Sequence, residues 1–239
     1  MGHSMLKMSL IIPCYNECKN LPLILSRCKE INYKEKNIEI VIVDNGSTDE
    51  TSLVLDELAL DLDYITRVKV ETNQGYGHGI LAGLRQASGE LLGWSHADMQ
   101  TDLADALKGL DLFRNTIEPE QLFVKGKRHG RPIADTFFTM GMSIFETFLL
   151  RRLMWDINAQ PTLFHRKFFL IWDSPPNDFS LDLYAYFLAK KTKLVIKRFP
   201  VLFGKRAYGV SNWNINFASK FRFIKRTLVY SFSLHRKMK

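Results

Sequence analysis

The first half of the chain alternates short apolar runs with stretches whose apolar residues recur every three or four positions. Residues 8–13 (MSLIIP) form an apolar run that CYNE breaks, and residues 38–43 (IEIVIV) form a second, closed by DNGSTDET. Apolar runs of this length bounded by turn residues predict strands buried on both faces. Between them Leu21, Ile24, Leu25 and Cys28 fall on one face of a helix. Ser47 or Thr48 is placed to cap the next helix, with Asp49 and Glu50 in its first turn. A shorter strand at 68–70 leads through Asn73 and a glycine-rich turn into a helix from about 80 to 87. Residues 91–94 predict a fourth strand, 103–113 a helix and 122–124 a fifth strand.

This alternation predicts an α/β fold, a mostly parallel sheet with helices on both faces. Such sheets bind ligands at the carboxyl ends of their strands. The clusters CYNE, DNGSTD, NQGYGHG and SHADMQ each follow a strand, so all four are expected along one rim. In SHADMQ, His96, Asp98 and Gln100 alternate with Ala97 and Met99, which in an extended segment puts the three on one side. An imidazole, a carboxylate and an amide at a strand end suit a metal or a phosphate. Taken singly the residues say less: Asp44 reads as a turn cap and His96 as a hydrogen-bonded structural histidine. GYGHG has the wrong spacing for a dinucleotide fingerprint and follows the third strand, not the first.

After Lys125 the pattern changes. GKRHGR is a short basic loop, residues 132–153 are a long and largely apolar helical region, and INAQPTLFHR is a turn leading into a strand or helix. DFSLDLYAYFLAKK is amphipathic, with Leu181, Tyr184, Ala185 and Leu188 at helical spacing, and residues 194–199 read as a strand. From 217 onward the tail suits a helix with Phe221, Ile224, Leu228 and Phe232 on one side, among basic residues. Residues 1–4 (MGHS) read as a leftover of expression before a start at Met5.

Charge adds a second asymmetry. The 239 residues carry a net +8, yet from Leu183 onward there are 14 Lys and Arg and no Asp or Glu. A basic final third implies an anionic partner. The three cysteines, Cys14, Cys18 and Cys28, lie in one stretch, which argues for reduced thiols and against a disulfide frame or zinc site. No signal peptide is visible. The best candidate for a membrane span, residues 137–150, is short and interrupted by Glu146.

The order of the motifs is more specific than any one of them. A strand ending in PxYNE, a second ending in D-x-GSTD, then N-x-G-x-G and an acidic triplet resemble family 2 of the glycosyltransferases, which has the Rossmann-like GT-A fold. KGKRHGR, DINAQPTLFHR, DFSLDLYAYFLAKK and R-x-x-G-x-S-x-W narrow the resemblance to its dolichol-phosphate mannose synthase-like branch, whose members transfer a sugar from a nucleotide diphosphate to a polyprenyl phosphate. The resemblance implies one GT-A domain over residues 5–215. Residues 5–125 are its nucleotide-sugar half, 126–215 its acceptor half, and 216–239 a basic amphipathic tail.

The resemblance also assigns roles. Pro13, Tyr15 and Glu17 match residues that hold the nucleoside, with Asp44 reading base or ribose, a task suited to a hydrogen-bond-accepting carboxylate. Gly75, Gly77 and Gly79 are expected to let backbone approach the ligand. Asp98 and Gln100 match the metal end of the family's DxDxQ pattern, and His96 stands where its first acidic residue is usual. One carboxylate fewer and one imidazole more imply a weaker site that favours Mn²⁺ over Mg²⁺. Lys127 and Arg128 belong to the basic loop, and Arg206, accompanied by Ser211 and Trp213, matches an arginine that folds over the diphosphate. Asp182 matches an acidic position near the acceptor. It orients acceptor or cation there, or serves as base if the acceptor is a hydroxyl; as a plain helix-start carboxylate it would do neither.

The expected activity is therefore an inverting transfer from a UDP- or GDP-sugar to a polyprenyl phosphate. Asp98, Asp182, Arg128 and Arg206 carry the chemistry. The alternatives are transfer to a sugar or lipid-linked sugar hydroxyl, and a non-catalytic nucleotide-sugar binding module, which the departure at His96 motivates. The acceptor places the chain in the cytoplasm on the inner face of the membrane, with residues 137–150 and the tail against an anionic surface and a separate membrane protein as a possible partner. The tail's aromatics and cations form no recognisable nucleic-acid motif.

Overall fold

Four apolar runs become the parallel half of one seven-stranded sheet. In this computed structural model, which describes residues 6–209 and 217–237, with the side chains of 133–135, 138 and 217–223 left aside, the strands are β1 (Met8–Cys14), β2 (Ile38–Asn45), β3 (Ile65–Val70), β4 (Leu91–Trp94), β5 (Leu122–His129), β6 (Thr162–His165) and β7 (Val195–Leu202). Their order across the sheet is β3-β2-β1-β4-β6-β5-β7. β6 runs antiparallel to both β4 and β5, and every other pairing is parallel. The helices are α1 (Leu21–Lys34), α2 (Thr51–Leu58), α3 (Tyr76–Gln86), α4 (Asp105–Arg114), α5 (Ile133–Leu150), α6 (Arg166–Phe169), α7 (Ser180–Lys191) and α8 (Phe217–Lys237).

Alternation along the strands divides the core into two layers. Leu10, Ile12, Ile40 and Ile42 face α1 and α4, against Leu21, Ile24, Leu25, Cys28, Leu110 and Phe113. Ile11, Val41 and Val43 face α3 and α7, against Ile80, Leu84, Leu181 and Ala185. Burial on both faces explains the nearly uninterrupted apolar sequence of β1 and β2. On the second layer Trp94, Phe123, Phe164, Phe168 and Trp172 stack edge-on and face-on around β4–β6.

Register sets the rim. Cys14 lies opposite Asp44, and Ile11 opposite Trp94, so the chain leaves β1, β2 and β4 on the same edge. Antiparallel β6 starts where these strands end: Thr162 sits opposite Trp94 on one side and Lys125 on the other. Residues just before Thr162 are thereby delivered to the rim.

Several local expectations are corrected. Ser47 and Thr48 do not cap α2, which begins at Thr51 with no side-chain cap and no acidic residue in its first turn. They reach across to Asn16 instead: the Asn16 amide donates to Ser47 Oγ (3.0 Å) and the Thr48 amide to Asn16 Oδ1 (2.8 Å), tying the β1 and β2 loops together. The glycine-rich segment is not a turn before a helix but the first turns of α3 itself. SHADMQ is not extended, because the strand stops at Trp94 and Met99 has φ +57°. Among the α8 side chains described, Ser231 and Leu234 are buried and Phe232 is exposed with its ring set edgewise to Phe145 of α5, while Phe221 lies outside them.

Candidate active site

On the β1–β2 side the loops hold their own backbone in place with the residues expected to meet a nucleoside. Asp44 is buried and its Oδ1 accepts the Ser47 amide at 3.0 Å, closing the turn after β2. Tyr15 is exposed and Pro13 half-buried at the end of β1. The Glu17 amide donates to Thr51 Oγ1 (2.8 Å), and its carboxylate accepts from the Asn20 side chain. Burial raises the Glu17 pKa, with the Asn20 bond opposing, Asp98 adding and Arg206 opposing. This carboxylate therefore feels the centre of the rim.

The three glycines have a packing reason of their own. A side chain at Gly75, with φ +116°, would sit 2.4 Å from the Asn177 carbonyl oxygen; at Gly77 it would meet Pro176 O at 2.6 Å. At Gly79 it would run into the Asn45 amide at 2.8 Å. Their missing side chains make room for the loop before α7 and for Asn45. The His78 amide donates to Asn177 O (2.9 Å), fixing that loop over the start of α3.

At the centre, the three expected metal residues diverge. Asp98 Oδ2 pairs with Arg206 Nη2 at 2.9 Å, while its Oδ1 accepts the Gln100 amide at 3.1 Å. Gln100 turns its Nε2 to Gly204 O (3.2 Å) and its own carbonyl accepts the Gly204 amide (2.7 Å), which lays the segment after β7 along the rim. His96 stacks on Tyr76 with centroids 5.4 Å apart, and Tyr76 stacks on Phe179 at 4.6 Å. Burial lowers the His96 pKa; Asp98 and Asp182 oppose this, and Arg128 and Arg206 add to it. The imidazole is thus neutral near pH 7 with two carboxylates and two guanidiniums around it. Ser211 and Trp213 lie outside the described residues.

The acceptor-side residues form two buried clusters. Arg128 donates to Asp156 through its backbone amide (3.0 Å), Nε (2.8 Å) and Nη2, which fixes its guanidinium on that carboxylate. Arg131 and Arg198 also approach Asp156, at 3.9 and 3.7 Å. Burial opposes ionisation of Asp156, but Arg128 outweighs it and the pKa falls below the usual value. Three guanidiniums on one carboxylate leave the cluster cationic, and the Arg128 and Arg131 planes lie over the Phe203 ring. Lys127, by contrast, is exposed.

Asp182 in the first turn of α7 is 1% exposed, and Lys125 on β5 is fully buried beside it. Asp182 Oδ1 accepts from Gln160 Nε2 (2.7 Å) and lies 3.7 Å from Lys125 Nζ, which donates to Thr162 Oγ1 (2.6 Å). Asp182 Oδ2 has no hydrogen-bond partner. Burial lowers the Lys125 pKa to about 8 against the opposing pull of Asp182. Sequence reasoning missed Lys125, Gln160 and Tyr76. The available signal was a lysine closing a short apolar run and an amide two residues before a strand.

Among the described residues no group of three His, Cys, Asp or Glu is arranged to hold a metal ion. The residues fit a cation shared with ligand phosphates, since Mg²⁺-type sites take one or two carboxylates and fill the rest with phosphate and water. Asp98 would be that carboxylate, and Arg206 is the positive charge on it here. Among the described residues the donor set offers no all-protein cage.

A mostly parallel sheet with one antiparallel strand, β6, set between β4 and β5 is the arrangement of the GT-A fold. Residues 9–116 match the model of Glycosyl transferase family 2, so this region carries that family's sequence pattern. Among curated relatives, undecaprenyl-phosphate 4-deoxy-4-formamido-L-arabinose transferase of Proteus mirabilis is 35% identical over 99 residues, 39% of this chain and 29% of the relative. The chain thus spans under a third of the curated relatives it matches. A mannosyltransferase from Pyrobaculum calidifontis, in complex with GDP-Man and Mn²⁺, superposes with TM-score 0.69 at 18% identity over 97% of this chain and 64% of its own. Glucosyl-3-phosphoglycerate synthase from Mycobacterium tuberculosis, with Mn²⁺, UDP-glucose and phosphoglyceric acid, gives 0.72 at 13% identity over 98% and 84%.

Proposed function

We propose that the chain is an inverting glycosyltransferase that moves a sugar from a UDP- or GDP-sugar to a polyprenyl phosphate at a membrane surface. The observation that carries this reading is the rim itself: a single carboxylate, Asp98, met by Arg206 on a GT-A sheet, with the Arg128–Arg131–Arg198 cluster around Asp156 on the acceptor side. The curated relatives, whose names specify undecaprenyl phosphate, support the acceptor class.

In this reading Pro13, Tyr15, Glu17 and Asp44 receive the nucleoside. Asp98 and Gln100, with His96 beside them, hold a divalent cation together with the diphosphate, Mn²⁺ in preference to Mg²⁺. That cation supplies charge stabilisation for the leaving diphosphate. Arg206 exchanges Asp98 for diphosphate oxygens, to which its planar fork donates paired hydrogen bonds. A phosphate monoester has a second pKa of about 6 and is a ready nucleophile at neutral pH. The acceptor side then needs positive charge and orientation more than a base. Arg128 and Lys127 contribute that charge, and Asp182, clamped by Lys125 and Gln160, orients the acceptor side. The free Oδ2 of Asp182 also suits proton removal from a hydroxyl acceptor, the second reading.

Thermal-shift titration with UDP- and GDP-hexoses, with and without Mn²⁺ or Mg²⁺, tests the donor side. One nucleotide class is expected to stabilise the protein, more so with Mn²⁺, and Arg206→Ala to weaken that binding by about tenfold or more. Stabilisation by no nucleotide sugar at millimolar concentration would refute the reading.

A further inference from the structure

Gly75 and Gly77 bracket Tyr76, the first residue of α3. The backbone there is pinned from two sides. Asn45 Nδ2 donates to Gly75 O at 3.0 Å, and the Gly75 amide donates to Asn73 Oδ1 at 2.9 Å. The loop before α7 lies against both glycines and is fastened in turn by Asp178, which pairs with Arg226 of α8 at 3.0 Å. That loop delivers Phe179 to the Tyr76 ring, with centroids 4.6 Å apart and planes 11° apart. Tyr76 stacks in the same way on His96, at 5.4 Å and 25°.

The hydroxyl of the same residue points the other way in chemistry. Gln160 is fully buried, and its Nε2 donates both to Tyr76 Oη (3.5 Å) and to Asp182 Oδ1 (2.7 Å). One side chain thus touches two parts of the rim that the chain supplies separately. Its ring meets His96, two residues before the carboxylate Asp98, and its oxygen meets the amide that holds Asp182. Stacking fixes the plane of a ring that is otherwise free to turn about its side-chain torsions. The Gln160 amide group needs an acceptor, and tyrosine joins an extended aromatic face to an oxygen that accepts. Phenylalanine would supply the face alone, and tryptophan a face with a donor only.

We infer that Tyr76 is a positioning residue for the transfer: its ring sets the plane of the His96 imidazole beside Asp98, and its hydroxyl anchors the Gln160 amide that orients Asp182. The donor side and the acceptor side are held in register through this one side chain. The inference rests on the transferase reading of the same rim, in which His96 accompanies the metal carboxylate and Asp182 serves the acceptor. Partners that orient a ligating side chain govern metal affinity without touching the ion, so the ring's part can be read as binding, apart from any turnover.

The test pairs Mn²⁺ titration of the full chain with UDP or GDP present, followed by electron paramagnetic resonance, with steady-state transfer to undecaprenyl phosphate. Tyr76→Phe keeps the ring and loses the hydroxyl. It should leave Mn²⁺ affinity and the KM for nucleotide sugar unchanged and lower kcat about threefold to tenfold. Tyr76→Leu loses both and should weaken Mn²⁺ binding about tenfold or more. On a His96→Ala background, Tyr76→Leu should weaken it no further, since the ring acts through the imidazole. A Tyr76→Phe variant with the parent's kcat, or one that loses Mn²⁺ affinity as well, would overturn the inference even if Tyr76→Leu failed to fold. Undiminished Mn²⁺ binding in Tyr76→Leu, or a full further loss on the His96→Ala background, would overturn it too. A parent that binds Mn²⁺ with neither nucleotide would sink the transferase reading itself, and this inference with it.

Discussion

Lys125 carries an ammonium group into a position with no solvent exposure, where Thr162 and Asp182 receive it and the Tyr186 ring lies 5.9 Å away. Its folded pKa of about 8 lies below the ordinary lysine value, so burial makes the charged form costly and Asp182 only partly offsets that cost. Below pH 8 the ammonium is present and Asp182 has its cation; above it the lysine is neutral and Asp182 is left with Gln160. Transfer activity is therefore expected to fall through an alkaline limb near pH 8. Lys125→Arg should move that limb upward by at least about one pH unit, because guanidinium stays charged. Lys125→Met should abolish the limb and lower kcat at all pH values. A limb unchanged in both variants would remove Lys125 from the account. The short apolar run before Lys125 told of a strand, but nothing local distinguishes a buried lysine from one whose tip reaches water. Its partner lies 57 positions away on α7. The motif residues Asp98 and Arg206 were legible because their spacing was, and even so their mutual ion pair was not.

Between elements, the α5–α8 junction holds another titrating group. Glu146 is fully buried, its Oε1 accepts from Ser231 Oγ at 2.5 Å, and its Oε2 has no partner. Burial raises its pKa to about 7 despite the Ser231 bond. With the folded pKa above the unfolded one, the native state holds the proton more tightly. Stability from this group is full at low pH and declines as pH rises from about 4.5 to 7. Glu146→Gln is expected to remove a decline of about 1–3 kcal/mol. Thermal melts at pH 5 and pH 8 should then differ less in the variant than in the parent, by several degrees; an unchanged difference would contradict this. At this scale the strands of the first half were legible, since β1, β2 and β4 are buried on both faces and their sequences say so. α3 was placed too late because glycine reads as a turn, whereas here it allows a neighbouring loop to touch a helix. β6 stayed ambiguous as a four-residue apolar stretch that suits strand or helix equally.

Across the whole molecule, one sheet joins the two halves that the sequence pattern separates, with β5 crossing the boundary at residue 125. The residues expected to hold the nucleotide lie in loops after parallel strands, so motif order placed them together on one rim. Those expected near the acceptor depend on an antiparallel strand and on ion pairs between distant elements, which local patterns name singly but do not pair. No helix among the described residues is long and apolar enough to cross a membrane. The most direct measurement is transfer of radiolabelled sugar from a panel of UDP- and GDP-hexoses, with Mn²⁺, to undecaprenyl phosphate in parallel with a lipid-linked sugar bearing only hydroxyls. The expected result is an acid-labile glycosyl phospholipid, reduced at least about a hundredfold in Asp98→Asn and much less in Asp182→Asn. Labelling of the hydroxyl acceptor alone, abolished by Asp182→Asn, or no labelling of either acceptor from any donor, would contradict the account.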